Sequence, residues 1–153
     1  GVVSARERSL RYVNAGHLLP VWWTPRGGDA RAESAANGGA STASVERRAP
    51  NECDAGGTPV GLLPEATYEA GACDFAAGAR LVVFSDGVTD AENTAGATYE
   101  CGGVSASLAD AARSSPADAD PSSLGARLVA DLDRFRAGAP AKDDTTLLVV
   151  GFG

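Results

Sequence analysis

Two acidic sites bear on what this sequence can do chemically. The first is Asp86, which directly follows the apolar run Leu81-Val82-Val83-Phe84 and Ser85. The second is the pair Asp143-Asp144, which precedes Leu147-Leu148-Val149-Val150. An ionised carboxylate at the end of a buried strand is costly unless something positive meets it. A metal ion or an arginine would serve. Carboxylates brought together repel unless they share a proton or hold a cation. Hard oxygen donors at an open site favour magnesium or manganese. The plainer alternative is that Asp86-Gly87 only opens a turn, which is ordinary Asp-Gly chemistry.

These carboxylates can meet only if the two apolar runs pair. Residues 81–84 do not alternate in polarity, which fits a strand buried on both faces. Antiparallel pairing with the run at 147–150 sets the end of one strand beside the start of the other. Asp86 and Asp143 then converge on one edge of the sheet, and Gly87 lets the chain turn there without a Cβ clash.

The rest of the chain supplies strands, turns and two helices. Val2-Val3 and Leu10 to Asn14 read as strands joined by a polar turn at 5–8. Leu18 to Thr24 forms the next strand, with Pro20 suggesting an edge position or a start near residue 21. Trp22 and Trp23 point to opposite faces, so one of them is expected near the surface. Residues 25–57 are rich in Gly, Ala, Ser, Asn and Asp, with Val45 the one aliphatic residue larger than alanine. Such a stretch buries too little surface to offset its ordering entropy, and an extended flexible loop is expected there. A short strand at 44–47 fits within it. Arg47 and Arg48 could recruit a phosphorylated partner, or form a solvated charge pair. Tyr68 to Asp74 reads as a strand. Val104, Leu108 and Ala112 mark one apolar helix face. Asp120 can cap a second helix with Pro121 at its first position and Leu124, Leu128, Leu132 and Phe135 as its stripe. Arg127 and Asp131 are spaced as a stabilising pair, and Gly138 to Pro140 ends the helix.

Composition narrows the setting. With 153 residues, 44% of them hydrophobic, the chain suits one domain or part of one. A formal charge of −7 argues against a nucleic-acid surface. Lys142 is the sole lysine, and arginine, alanine and glycine are abundant, a bias in keeping with a high-GC bacterial genome. Cys53, Cys73 and Cys101 are too widely spaced for a Cys-x-x-Cys motif. Reduced thiols in a cytoplasmic setting are the simplest reading. No apolar run approaches the roughly 20 residues that span a bilayer, so no membrane contact is expected from this segment. Methionine is absent even at position 1, which points to a start inside a longer reading frame.

Four motifs, in order, give the chain a family likeness: Tyr12-Val13-Asn14-Ala15-Gly16-His17, Gly57-Thr58-Pro59-Val60-Gly61-Leu62, Leu81 to Ala91, and Asp143 to Val150. Together they resemble the metal-dependent serine/threonine protein phosphatases (PPM), in the bacterial branch typified by SpoIIE and RsbU. The resemblance implies an α+β fold, part of an α-β-β-α sandwich of antiparallel sheets flanked by helices. It implies that Asp86 and Asp143 are metal ligands, with two Mn2+ or Mg2+ ions in a complete domain. His17 would contact a water held by the metals or the incoming phosphate; a hydrogen-bonded structural histidine is the alternative. Asn14, Gly87, Asp90 and Asp144 are possible supports around the ligands. Asn14 is also suited to tying its turn, Asp90 to capping, and Asp144 to a solvated strand start. Two departures stand out. Ala79 occupies a position usually acidic in the family, and the 25–57 connection is longer than usual. The family's Gly-Gly-Asp and Asp-x-x-Gly-His-Gly motifs lie in the preceding half of the domain, and nothing before residue 14 matches either.

The expectation is therefore the C-terminal portion, residues 1–153, of a SpoIIE-like phosphatase domain with an insertion at about 25–57. The implied reaction is dephosphorylation of phosphoserine or phosphothreonine on a regulatory protein, with an upstream sensor or regulatory domain in the parent chain. The isolated fragment is expected to be inactive. Two rivals stand beside this. One is a non-catalytic, phosphatase-like regulatory or binding module. The other is a phosphohydrolase with Asp86 as nucleophile, which usually needs a second carboxylate where Val88 stands.

Overall fold

The computed structural model describes residues 1–23, 51–52, 57–113 and 120–152. The expectations for Thr24, the strand at 44–47, Arg47, Arg48 and Cys53, and for most of the 25–57 loop, lie outside these residues. The chain order is β1 (Val2–Ser4), β2 (Ser9–Tyr12), β3 (Val21–Trp23), β4 (Asn51–Glu52), β5 (Gly71–Asp74), β6 (Arg80–Phe84), α1 (Asp86–Thr89), α2 (Glu100–Arg113), α3 (Pro121–Arg136) and β7 (Leu147–Gly151). The strands form two sheets, ordered β1-β2-β5 and β4-β3-β6-β7, with every pairing antiparallel. The fold is thus α+β, two antiparallel sheets flanked by helices, as expected.

Alternation along the central strands builds two cores. Val82 and Phe84 of β6 face one way and join Val21, Trp23, Val88, Tyr99, Val104, Leu108, Leu124, Leu128 and Leu132 between sheet and helices. Leu81 faces the other sheet and meets Leu10, Tyr12, Phe75, Ala79 and Phe152, with Val83 and Trp22 packed alongside. β6 is therefore covered on both faces, as its unbroken apolar run implied. The layering treats the two tryptophans differently. Trp23 is buried, and half-buried Trp22 stacks on Phe75 and meets Phe152 at a tilt, with its Nε1 donating to Cys73 Sγ at 3.1 Å. Trp22 is thus the more exposed of the pair, on the face towards the second sheet. Cys73 is half-buried and Cys101 exposed.

Several strands are shorter than their apolar patterns. β5 starts at Gly71, where its pairing with Tyr12 begins; a Cβ at 71 would fall 2.5 Å from the Tyr12 ring. β7 begins at Leu147; of the two threonines before it, Thr145 donates its hydroxyl to Gly87 O in α1 and Thr146 its N–H to the Ser85 hydroxyl, so neither continues the ladder. On α2, Ala111 is buried and Ala112 only half-buried, a shift that the 3.6-residue period allows. The start of α3 matches its sequence signals. Asp120 accepts from the backbone N–H groups of Ser122 and Ser123, and Pro121 opens the helix. Tyr99, buried under α3, donates to Asp131 at 2.9 Å. Burial, followed by that hydrogen bond, pushes its phenol well above the ordinary range. Asp131 also pairs with Arg134. No helix among the described residues is long and apolar enough to cross a membrane.

The helical layer generates a pair of stability predictions. Leu124 is fully buried against the sheet, so Leu124→Ala should destabilise by about 2–5 kcal/mol through the cavity it leaves. Asp120→Ala should cost about 0.5–2 kcal/mol through the lost cap. Urea unfolding of both variants checks the ranking; equal costs would show that α3 is not held mainly by its apolar stripe.

Candidate metal centre

The two acidic sites meet because β6 and β7 pair in a fixed register, from Arg80 opposite Gly151 to Phe84 opposite Leu147. Beyond the ladder the contact continues by other means. Ser85 N–H donates to Thr146 O at 3.0 Å, and Ser85 Oγ accepts from Thr146 N–H at 2.9 Å. The same hydroxyl donates to Asp144 O at 3.0 Å. One residue further on, the backbones nearly touch: a Cβ on Gly87 would lie 2.3 Å from Asp144 O and 3.4 Å from the Asp143 carbonyl carbon. No side chain fits there. Asp86 and Asp143 therefore occupy one rim of the four-stranded sheet.

Both carboxylates are exposed, and each has one oxygen engaged locally. Asp86 Oδ1 accepts from Gly87 N–H at 3.0 Å, and Asp143 Oδ1 accepts from Asp144 N–H at 2.7 Å. The second oxygen of each makes no hydrogen bond, and no cationic side chain pairs with either group, among the described residues. Carboxylates with an unengaged oxygen are the kind of hard donor that Mg2+ and Mn2+ take, commonly one or two at a time with several waters. Among the described residues, no group of three or more His, Cys, Asp or Glu side chains gathers to hold an ion.

The other predicted residues fall into three places. Gly87 is at the contact itself, and Asp144 supplies its backbone carbonyl to that contact while its side chain is exposed. Asp90 closes α1, its N–H donating to Asp86 O at 2.8 Å and its Oδ1 accepting from Thr89 Oγ1. Asn14 is buried and ties its turn, as its amide suggested, accepting from His17 N–H at 2.8 Å and donating to His17 O at 2.9 Å. His17 is exposed, with Nδ1 2.8 Å from Leu18 O. It is not gathered with Asp86 and Asp143 into a metal-holding group among the described residues. The Gly57–Leu62 turn packs on this loop: a Cβ on Gly16 would strike Pro59 at 2.5 Å, and one on Gly57 would meet Asn14 O at 2.9 Å. Val88, where an aspartyl nucleophile would have its partner, is buried in the core.

Three residues of the rim carried little signal in the sequence. Ser85 and Thr145 read only as strand ends. Arg136, in the last turn of α3, has no part in the sequence reading, yet its Nη2 reaches Thr145 Oγ1 at 2.8 Å and Gly87 O at 3.5 Å. Lys142 pairs with Glu92 at 2.5 Å across the same rim, a largely exposed contact of small energetic weight.

Two stacked antiparallel sheets flanked by helices are shared with PP2C-type phosphatase domains of known structure. The chain superposes on the phosphatase domain of the cell fate determinant SpoIIE from Bacillus subtilis, presoaked with Mn, with a TM-score of 0.62 and 12% identity. That match covers 99% of this chain and 54% of the other. For the SiaA-PP2C domain of Pseudomonas aeruginosa the values are 0.63 and 18%, covering 99% and 49%. A B. subtilis SpoIIE structure holding the PP2C domain and a fragment of the regulatory domain gives 0.65 and 16%, covering 96% and 35%. The chain thus spans about half the length, or less, of these structures. Among curated proteins, none matches significantly. The sequence model of the Stage II sporulation protein E (SpoIIE) family matches residues 1–153, and the chain belongs to that family.

Two substitutions probe this geometry. Gly87→Ala forces a Cβ into the Asp144 carbonyl and should cost about 1–3 kcal/mol, as overpacking does, measured by chemical denaturation. Asn14→Ala breaks both turn bonds and should cost about 1–3 kcal/mol. A Gly87→Ala protein as stable as the parent would mean the rim is looser than described.

Proposed function

We propose that the chain is the C-terminal portion of a metal-dependent protein phosphatase domain that hydrolyses phosphoserine or phosphothreonine on a regulatory protein. The observation that carries this reading is the close approach of the backbone at Gly87 to that at Asp143 and Asp144, with one oxygen of Asp86 and one of Asp143 left without a hydrogen bond among the described residues. Membership of the SpoIIE family and the PP2C-type fold support it.

In this reading Asp86 and Asp143 each offer a carboxylate oxygen to divalent cations, Mn2+ or Mg2+, two in the complete domain. Such ions, when bound, acidify water to make a nucleophile at neutral pH and offset charge building on the phosphoryl group. The chain's own work is positional. The β6–β7 pairing fixes the spacing of the ligands, and the backbone bonds to each Oδ1 fix which oxygen faces outward. Asp90 holds α1 closed behind Asp86, and Asp144 carries the carbonyl that seats on Gly87. His17, on its amide-tied turn, contacts the incoming phosphate. The remaining ligands come from the preceding half of the domain, and an upstream sensor or regulatory segment controls the whole in a bacterial cytoplasm. The partner is the phosphorylated substrate, with neither nucleic acid nor membrane involved.

Manganese-dependent hydrolysis of p-nitrophenyl phosphate tests the reading. The isolated 153-residue chain should give no turnover above background, since half of the ligand set is elsewhere. In the complete protein, Asp86→Asn or Asp143→Asn should abolish activity without unfolding the domain. Turnover by the isolated chain that Asp86→Asn removes would show that these residues suffice, and would overturn the claim that they form a partial site.

A further inference from the structure

We propose that Arg136 is a positioning residue for the metal centre, holding the Asp143–Thr145 segment against Gly87 so that the two carboxylates stay convergent. This rests on the phosphatase reading above and adds to it a residue from a third element. Arg136 sits in the last turn of α3, close in sequence to Asp143 but distant from Asp86. Its side chain is only 14% exposed, and Nη2 serves two acceptors on opposite sides of the rim. One is Thr145 Oγ1 at 2.8 Å, two residues after Asp143. The other is Gly87 O at 3.5 Å, one residue after Asp86. Thr145 Oγ1 itself donates to Gly87 O at 3.4 Å, closing a three-membered set of contacts.

The rest of the guanidinium shows that this placement is not made for its own sake. Nε is buried and unbonded, and Nη1 reaches Asp133 only at 3.9 Å. Burying an unsatisfied donor is unfavourable, so a side chain free to choose would turn outward to solvent. The position at a helix C-terminus favours its charge, but an exposed rotamer would enjoy that as well. What the inward rotamer adds is the link between the two ligand-bearing segments. Outer contacts of this sort fix ligand orientation and thereby set metal affinity.

The test uses the complete protein and two readouts besides turnover. Mn2+ binding is titrated through the EPR signal of the free ion. Amide hydrogen exchange at Asp144 and Thr146 is followed without metal. Arg136→Met keeps the stem and removes the donors. It should raise the Mn2+ dissociation constant at least about tenfold, as loss of such a partner commonly does, and should speed exchange at both amides. Arg136→Lys should bind Mn2+ more tightly than Arg136→Met, since an ammonium can still donate to one acceptor. Arg134→Met, an exposed arginine on the same helix, should leave both readouts unchanged. Parent-like affinity and exchange in Arg136→Met overturn the proposal and leave the phosphatase reading standing. If Arg136→Met does not fold, Thr145→Val decides, because it deletes only the hydroxyl of the clamp; unchanged Mn2+ affinity there overturns the proposal too. A complete protein that binds no Mn2+ defeats the phosphatase reading, and the role of Arg136 with it.

Discussion

The structure turns on one close approach, the Gly87 backbone against the Asp144 carbonyl. No other residue type can occupy position 87 without pushing the two segments apart, because even a methyl group would stand 2.3 Å from a carbonyl oxygen. Everything that gives the rim its chemistry follows from that contact being made. The β6–β7 ladder delivers both segments to it, and the Ser85 hydroxyl bridges them where the ladder ends. The two aspartates then flank it on exposed backbone.

This arrangement keeps the cost of like charge low until it is needed. Asp86 and Asp143 are both in contact with water, so their repulsion is screened and neither suffers the desolvation of a buried carboxylate. The rigid part of the site lies beneath them, where Val82, Phe84 and Val88 are packed against α2 and α3. Asp86 thus opens a short helix directly behind a well-packed strand, while Asp143 lies in the segment before β7 that contacts from Ser85 and Thr145 tie to the rim. The helices thus serve the rim twice, by covering the sheet and by sending Arg136 into it.

The core was readable before any coordinates. An unbroken apolar run at 81–84 implied cover on both faces, and the stripe at Leu124, Leu128 and Leu132 implied a helix packed on a sheet. Asp120 and Pro121 marked the start of that helix through chemistry that is purely local. Strand ends were less legible, because a ladder stops where its partner does, and the partner is remote in sequence. Residues 68–70 have the pattern of a strand, but the ladder with β2 begins only where Tyr12 meets Gly71. The two tryptophans show the same limit. Alternation placed them on opposite faces, while the exposure of each depended on what the other sheet and the helices brought to those faces.

For the rim, residue type and local order determined the candidates: Asp86 and Gly87 after one apolar run, Asp143 and Asp144 before another. Hydropathy and carboxylate chemistry are properties of short segments, so they survive in a linear reading, and four motifs in register sufficed to suggest the SpoIIE family. Tertiary structure alone decided that Gly87 abuts Asp144, that Pro59 seats on Gly16, and that Arg136 reaches across to Gly87. Those contacts join residues separated by whole elements. Their existence depends on the register of a strand pair and the rotation of a helix, which packing fixes and no local pattern encodes.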